Sequence, residues 1–158
     1  MDTTDLEARV RRIEDIEAIR RLKHLYASYC DDGYDADRLA ELFTETAVWD
    51  GGVLGRFEGV EAIRRFFESC SKAVPFAIHQ VTNEVLDVDG DRGTGRWYLW
   101  EPLVFAKGDH AMWMAARYDD VYRRVKGTWR FETVKVELRM LSPYEQSFAK
   151  VRIAELPR

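Results

Sequence analysis

Cysteine is scarce in this chain. Two of the 158 residues are cysteine, Cys30 and Cys70, and they lack the CxxC spacing of redox and zinc motifs. This usage indicates free thiols in a reducing compartment rather than a disulfide framework. Long apolar runs are missing too: no segment approaches the length that crosses a membrane, and the N-terminal stretch has no apolar core of the signal-peptide kind. These absences predict a cytoplasmic protein with no membrane partner.

An excess of basic residues is also missing. The 24 Lys and Arg are outnumbered by 28 Asp and Glu, so the net charge of −4 offers no positive field to a nucleic acid. Histidine occurs three times, as His24, His79 and His110, without HxH or HExxH spacing. We therefore expect neither a nucleic-acid partner nor a metal site.

Aromatic residues, by contrast, are plentiful. Phe, Trp and Tyr make up 13% of a chain that is 46% hydrophobic and 33% charged. Such a composition is typical of a globular protein, and the length is typical of one domain, so we expect a single domain over residues 1–158. That much ring surface either fills a core or lines an apolar cavity.

The order of the hydrophobic periodicities indicates the fold class. Apolar residues recur at helical spacing in three segments: 3–33, 35–45 and 59–74. They alternate with polar residues in four later segments joined by glycine turns: 77–88, 92–106, 111–125 and 128–141. Two short strand-like pieces surround a glycine turn before the third helix. We therefore predict an α+β fold in which three N-terminal helices pack on a curled antiparallel β-sheet.

His79 and the acidic end of the first helix are the first candidates for chemistry. A lone histidine on a strand is more often a surface or satisfied core residue than a catalyst. Asp31 and Asp32 follow the helical face that carries Tyr26 and Cys30. Carboxylates at a helix C-terminus oppose the helix dipole, so at least one of them needs compensation. A buried His79 would provide it, and the carboxylate would in turn fix the tautomer of the imidazole.

Glu101 and Arg139 are the next candidates, each with two interpretations. Glu101 shares a strand face with Trp97, opposite Trp100. If the Trp97 face is buried, desolvation raises the pKa of Glu101; otherwise Glu101 is an exposed edge charge. Arg139 is either exposed or lies at a pocket mouth, where it could hold a substrate carboxylate or carbonyl through two hydrogen bonds. The residues themselves leave these alternatives open.

Several motifs, taken in order, resemble one known family. The segments LYASYCDDGYDADRLAELFTETAVW, FEGVEAIRRFF, HQVTNEVLDVDGD and GTWRF are similar to the SnoaL-like branch of the nuclear transport factor 2 (NTF2) superfamily. The resemblance extends from about Leu6 to Phe148 and implies an α+β cone around a hydrophobic cavity. Within the superfamily the chain looks most like three cofactor-independent lyases: scytalone dehydratase, hexachlorocyclohexane dehydrochlorinase and bile acid 7α-dehydratase.

The resemblance also suggests which residues form a site. The HxxTN motif that begins at His79 matches the dehydrochlorinase motif whose histidine is the general base. The DxDRL motif that begins at Asp35 matches scytalone dehydratase without a gap, and that register makes Asp32 the partner of the histidine. Counting from Tyr26 selects Asp31 instead. We favour Asp32, because the downstream match needs no gap.

Bile acid 7α-dehydratase supplies the remaining correspondences. It places Tyr26 on an active-site tyrosine, Glu101 on a second acid and, with a shift of one residue, Arg139 on an arginine. Glu101 is one methylene longer than the aspartate of that enzyme. Val134 stands where the dehydrochlorinase has an arginine, which argues against the substrate of that enzyme.

A lyase that needs no cofactor is the function this resemblance implies. It would eliminate water from a hydrophobic cyclic or aromatic hydroxylated substrate, such as a hydroxysteroid. His79 would take a proton and Asp32 would orient the imidazole. Tyr26 and Glu101 would donate to the leaving hydroxyl, and Arg139 would orient a polar end of the substrate. Five aromatic residues are candidates for the cavity wall: Trp49, Phe67, Trp97, Trp113 and Tyr118.

Two other functions stay open. One is an isomerase of the ketosteroid-isomerase type, which has no need for a His–Asp pair. The other is a non-catalytic module that binds a small molecule or a protein, and a contact between His79 and its aspartate would argue against it. We also expect a homo-oligomer formed through the outer face of the sheet, where Tyr98 and Trp100 lie. A trimer is favoured over a dimer on the resemblance alone.

Overall fold

The computed structural model of the chain describes residues 3–156. Three α-helices are present: α1 (Thr3–Asp31), α2 (Ala36–Ala40) and α3 (Val60–Ala73). A short 3₁₀ turn occupies Gly52–Leu54. Seven strands follow the order β1 (Phe43–Asp50), β2 (Arg56–Glu58), β3 (Phe76–Ala77), β4 (Gln80–Asp89), β5 (Arg92–Phe105), β6 (His110–Val125) and β7 (Thr128–Pro143). The predicted order of helices and strands is confirmed, but the helix predicted over residues 35–45 ends at Ala40, and residues 43–45 already belong to β1.

All seven strands belong to one sheet. Its order is β2-β1-β7-β6-β5-β3, with β4 also paired to β5. The hairpins of the second half pair antiparallel, as predicted, but β1 lies parallel to β7. The prediction of a purely antiparallel sheet was wrong at this pairing. No hairpin joins β1 to β7, because α3 and five strands separate them along the chain. Their relative direction is therefore free to be parallel.

Glycines on the inner face of β5 allow the sheet to curl closely around α1. A Cβ atom at Gly93 would stand 2.8 Å from Cδ1 of Ile19 on α1, and one at Gly95 would stand 2.8 Å from the Tyr122 ring. Both distances are shorter than side chains tolerate, so glycine permits the close approach of helix and sheet. The α+β fold class, with helices on a strongly curled sheet, is confirmed.

Helix α1 enters the core only in its second half. Leu6, Val10 and Ile13 are exposed, whereas buried positions begin at Asp15. Asp15 holds the helix to the sheet, because its carboxylate accepts from the Trp129 indole (3.0 Å) and pairs with an arginine of β6. The apolar stripe predicted for the whole helix therefore packs only in its C-terminal part, and that part leads directly to the site.

The two shorter helices close the other side of the cone. The side chain of Asp35 accepts from the backbone N–H of Arg38 at 3.1 Å and so caps the N-terminus of α2. Helix α3 buries Ile63 and Phe67 against the core. No helix in the described part of the chain combines the length and the apolar character needed to cross a membrane.

Candidate active site

A cavity of about 260 Å³ lies between the helices and the concave face of the sheet. Most of its wall is apolar or aromatic, and among the lining residues His79 supplies an imidazole and Glu101 a carboxyl group. Aromatic residues from five elements and a turn line it: Tyr26, Tyr34, Trp49, Phe66, Phe67, Phe105 and Tyr118. An apolar wall with a few convergent polar and titratable groups is the usual form of a small-molecule site.

His79 occupies a break between two strands. Strand β3 ends at Ala77 and β4 begins at Gln80, so the continuous strand predicted over residues 77–88 is interrupted at this point. Ile78 still donates its backbone N–H to Pro102 (3.1 Å) and points outward. The His79 side chain turns inward and is 6% exposed. The break thus lets the backbone N–H of His79 bond to a side chain instead of to a neighbouring strand.

Asp31, the last residue of α1, provides that side chain. Its Oδ1 lies 2.8 Å from His79 Nδ1 and also accepts from the His79 backbone N–H at 2.8 Å. Two bonds to one carboxylate fix both the position of the ring and the proton on Nδ1, which leaves Nε2 free to accept a proton. This is the geometry of an orienting carboxylate and a general base.

The preference for Asp32 as the histidine partner was wrong. Asp32 is exposed. Its backbone N–H donates to the carbonyl oxygen of Ser28 at 2.9 Å, one helical turn earlier, and Ser28 is also exposed. Asp31 lies one helical turn beyond Ala27, which is buried. Consecutive helix positions differ by about 100°, so only one of two adjacent aspartates can face the cavity.

Glu101 faces His79 from strand β5. Its side chain is 1% exposed, and Oε1 lies 3.6 Å from His79 Nε2. Neither carboxylate oxygen has a hydrogen-bond partner among the described residues. Burial raises the pKa of Glu101 to about 7, although the positive charge of a protonated His79 opposes the shift. The Trp97 face of β5 is therefore the buried one, and this carboxyl can hold a proton near neutral pH.

The pKa of His79 is raised as well. Burial lowers it, but the charge of Glu101 and the hydrogen bond and charge of Asp31 together outweigh burial. Because His79 and Glu101 face each other in a low-dielectric site, they bind one proton jointly around neutrality. In one of the two resulting microstates His79 is neutral and Glu101 is protonated. That microstate places a base and an acid side by side.

A hydrogen-bonded aromatic row forms a second wall. The Trp49 indole donates to the Tyr26 hydroxyl at 3.0 Å, and Tyr26 is hydrogen-bonded to Tyr118. Burial raises the pKa of both tyrosines well above the ordinary value, so both keep their protons. Tyr34 is a wall residue that the sequence argument missed. Its ring stands edge-on to His79 with the centroids 5.9 Å apart.

Three predicted site residues lie away from the cavity. Trp97 is buried in a different part of the core, where its indole donates to Tyr122 (2.9 Å). Trp113 faces outward, because the residues on either side of it in β6 face inward. Its ring stacks on Trp100, with the ring centroids 5.2 Å apart. Arg139 is exposed at a register shift between β6 and β7, beside Glu137.

The other predicted wall residues, Trp49, Phe67 and Tyr118, do line the cavity. Their contact with a substrate stays a prediction, as do the catalytic roles of His79 and Glu101. Over residues 3–156, no group of three or more His, Cys, Asp and Glu side chains is arranged to hold a metal ion.

Comparison with known proteins identifies the family. The family model of the SnoaL-like domain matches residues 11–135. An uncharacterized protein of Mycobacterium tuberculosis, Rv2910c, is 31% identical over 124 residues, which cover 77% of this chain and 83% of that protein.

Two solved structures have a similar fold. A hexachlorocyclohexane dehydrochlorinase of Novosphingobium barchaimii is 22% identical, with a TM-score of 0.77, over 92% of this chain and 97% of that one. A scytalone dehydratase-like protein of Novosphingobium aromaticivorans is 19% identical, also with a TM-score of 0.77, over 85% of this chain and 91% of that one. At these identities the likeness shows the fold alone. Together with the family match, it means that this chain belongs to the SnoaL-like family of NTF2-like domains.

Proposed function

We propose that the protein is a cofactor-independent lyase that eliminates water from a hydrophobic, hydroxylated cyclic substrate. One observation carries this proposal: Asp31, His79 and Glu101 form a continuous row at the polar end of an otherwise apolar cavity. The row contains an orienting carboxylate, a base with a free nitrogen and a buried acid. An elimination needs a base and an acid of this kind, each within reach of the same small molecule.

His79 starts the reaction from its neutral form. Nε2 takes a proton from a substrate carbon, and the electron pair of that C–H bond forms the new C=C bond. The C–O bond to the neighbouring hydroxyl breaks, and protonated Glu101 supplies the proton that lets it leave as water. Asp31 stabilises the imidazolium that forms, because its Oδ1 is 2.8 Å from Nδ1.

The pair then returns to its starting state. His79 has gained a proton and Glu101 has lost one, and the two groups are 3.6 Å apart. Transfer of one proton from Nε2 to Oε1 restores the neutral base and the protonated acid. The net reaction therefore consumes no external acid, base or oxidant.

The lining of the cavity supports an uncharged hydrophobic substrate. Among residues 3–156, no lysine or arginine lines it, so these residues offer a substrate carboxylate no Lys or Arg counter-ion. The role proposed from sequence for Arg139, as a clamp on a polar end of the substrate, has no support, because Arg139 lies outside the cavity. Two proteins of similar fold named above, a dehydrochlorinase and a scytalone dehydratase-like protein, support elimination as the proposed chemistry.

The assembly and the location are further proposals. An outward-facing aromatic row, Trp100, Trp113 and Tyr144, favours a homo-oligomer through the sheet, because water would otherwise meet stacked rings. A trimer is proposed ahead of a dimer, on the family resemblance. Cys30 and Cys70 are both free, which favours a reducing compartment such as the cytoplasm.

A substrate panel tests the proposal. The protein is incubated with hydroxylated steroids and with hydroxylated one- and two-ring ketones and aromatic alcohols, and products are analysed by mass spectrometry for the loss of one water. His79→Gln is the inactive comparison, and Asp32→Asn is the matched control for Asp31→Asn. A product of unchanged mass would favour the isomerase, and tight binding without any product would favour the binding module.

A further inference from the structure

A fully buried ion pair lies behind the cavity wall. Lys23 of α1 and Asp120 of β6 are both 0% exposed, and Lys23 Nζ donates to Asp120 Oδ2 at 2.9 Å. Neither residue lines the cavity. Burying two charges is costly, and a well-packed apolar pair often serves stability equally well or better. The pair therefore calls for an explanation beyond the stability of the fold.

The order of residues along β6 shows where the negative charge lies. The buried positions of this strand alternate, and among them are Met114, Tyr118, Asp120 and Tyr122. Met114 and Tyr118 line the cavity, whereas Asp120 and Tyr122 lie farther along the strand and do not. Two residues of a strand span about 7 Å. The carboxylate of Asp120 is therefore placed beyond the end of the cavity.

The positive charge, in contrast, lies against the wall. Lys23 Nζ is 3.3 Å from the ring centroid of Tyr118 and 5.0 Å from that of Tyr26, and both of these rings line the cavity. Asp120 accepts a second hydrogen bond, from the Tyr122 hydroxyl at 2.9 Å, on the side away from the cavity. The ion pair is thus a dipole whose positive end is the end nearer to the cavity.

The surroundings of Lys23 favour its charged form. Burial lowers the pKa of Lys23, while the charge of Asp120 opposes the shift. Ring faces around an ammonium group stabilise the cation and would do little for a neutral amine. The field of this charge extends past the wall. Burial is the largest influence on the pKa values of His79 and Cys30, and the charge of Lys23 is a smaller one that lowers both.

We propose that the Lys23–Asp120 pair is a fixed dipole that stabilises negative charge on a molecule bound in the cavity. Both are positioning residues, because they act through the wall rings and do not reach the cavity themselves. The use of this dipole in catalysis rests on the proposed elimination. When His79 removes a proton, negative charge develops on the substrate until the C–O bond has broken. A dipole that is already oriented stabilises that charge without reorganising.

The expected effect is modest because the two charges partly cancel. An anion in contact with the opposite side of the Tyr118 ring would lie about 7 Å from Nζ and about 3 Å farther from the carboxylate. At an effective dielectric constant of about 20, the net field shifts the pKa of a bound acid by roughly half a unit. Stabilisation of a transition state by the same amount is worth about 3-fold in kcat.

The ionisation of bound 4-nitrophenol measures this field without any turnover. This single-ring phenol titrates near neutrality and its phenolate is yellow, so absorbance reports its charge inside the cavity. The protein carries His79→Gln and Glu101→Gln, because these cavity groups titrate in the same range. Cys70, which also lines the cavity, stays a neutral thiol, because burial raises its pKa to about 12. In this background, Lys23→Met with Asp120→Asn should raise the pKa of the bound phenol by roughly half a unit.

Two controls separate the charges from the packing. Tyr122→Phe removes a hydrogen bond to Asp120 but keeps both charges, so the pKa of the bound phenol should not change. The affinity for nitrobenzene, an uncharged ligand of similar size, should be equal with and without the ion pair. If the Met–Asn combination does not fold, Lys23→Met, Asp120→Leu and Tyr122→Phe together remove the same charges and leave an apolar core. The same shift is expected.

Two results would overturn the inference. One is an equal pKa of the bound phenol in the charged and the charge-free proteins, and the other is a shift in Tyr122→Phe as large as that of the charge-free protein. Neither bears on whether His79 catalyses an elimination, because His79 is replaced in every protein compared. Conversely, the expected shift in a protein that, with His79 and Glu101 intact, dehydrates no compound would refute the proposed function and leave the dipole in place.

Discussion

Glu101→Gln should make the protein more stable at alkaline pH while it abolishes activity. In the folded protein burial raises the pKa of Glu101 from 4.5 to about 7, and a difference of that size corresponds to about 3 kcal/mol. The sign follows from linkage. A carboxyl whose folded pKa is raised contributes stability below its unfolded pKa, and that contribution is lost as the pH rises through about 7. Glutamine stays neutral throughout and avoids the loss.

Urea unfolding at pH 5 and pH 8 measures this effect. Between pH 5 and pH 8, the free energy of unfolding of the unmodified protein should fall. The fall should exceed that of the Glu101→Gln protein by up to about 3 kcal/mol. Glu68→Gln, at an exposed position of α3, is the control and should follow the unmodified protein. Equal pH slopes for Glu101→Gln and the unmodified protein would refute the idea that this carboxyl is desolvated and protonated near neutrality.

Three further predictions concern the site and the assembly. Asp31→Asn should lower kcat by about 10²–10⁴-fold, because it removes the carboxylate that orients His79. Asp32→Asn should leave kcat unchanged. The opposite result in a steady-state assay would make Asp32 the partner of His79. The profile of kcat/KM against pH should be bell-shaped, because His79 loses its basic form as the pair gains a second proton and Glu101 loses its acid form above its pKa of about 7; a rate that keeps rising to pH 9 contradicts this. Light scattering at micromolar concentration should give the mass of an oligomer, and Trp100→Arg should dissociate it, whereas a monomeric mass for the unmodified protein excludes the sheet interface.

Most of the fold could be predicted from the sequence because its signals are local. Hairpin turns and strand alternation each depend on a few adjacent residues, and the structure has both. The parallel pairing of β1 with β7 depends on contacts between distant segments, and no local pattern encodes it. The break at His79 was missed for a related reason, since it is the neighbouring Asp31 carboxylate that replaces the ladder bond there.

The sequence predicted the site in outline. The errors in that prediction concern the direction in which individual side chains face. Choosing Asp31 over Asp32 requires knowing the helical phase at the end of α1 to within about 100°. Arg139 was misplaced because a register shift in β7 alters which residues face inward there. Lys23, in contrast, had a readable signal: it shares the inward helix face with Ile19 and Tyr26, an unusual place for a lysine.

The turnover of His79→Gln is the most direct measurement of whether this cavity catalyses an elimination. With whichever hydroxylated ketone the unmodified protein dehydrates, His79→Gln should lose about 10²–10⁴-fold in kcat, because the base is required only for the chemical step. Its affinity for that substrate should change little, which excludes a damaged cavity. A His79→Gln protein that binds the substrate normally and also dehydrates it at the unmodified rate would contradict the assignment of His79 as the base.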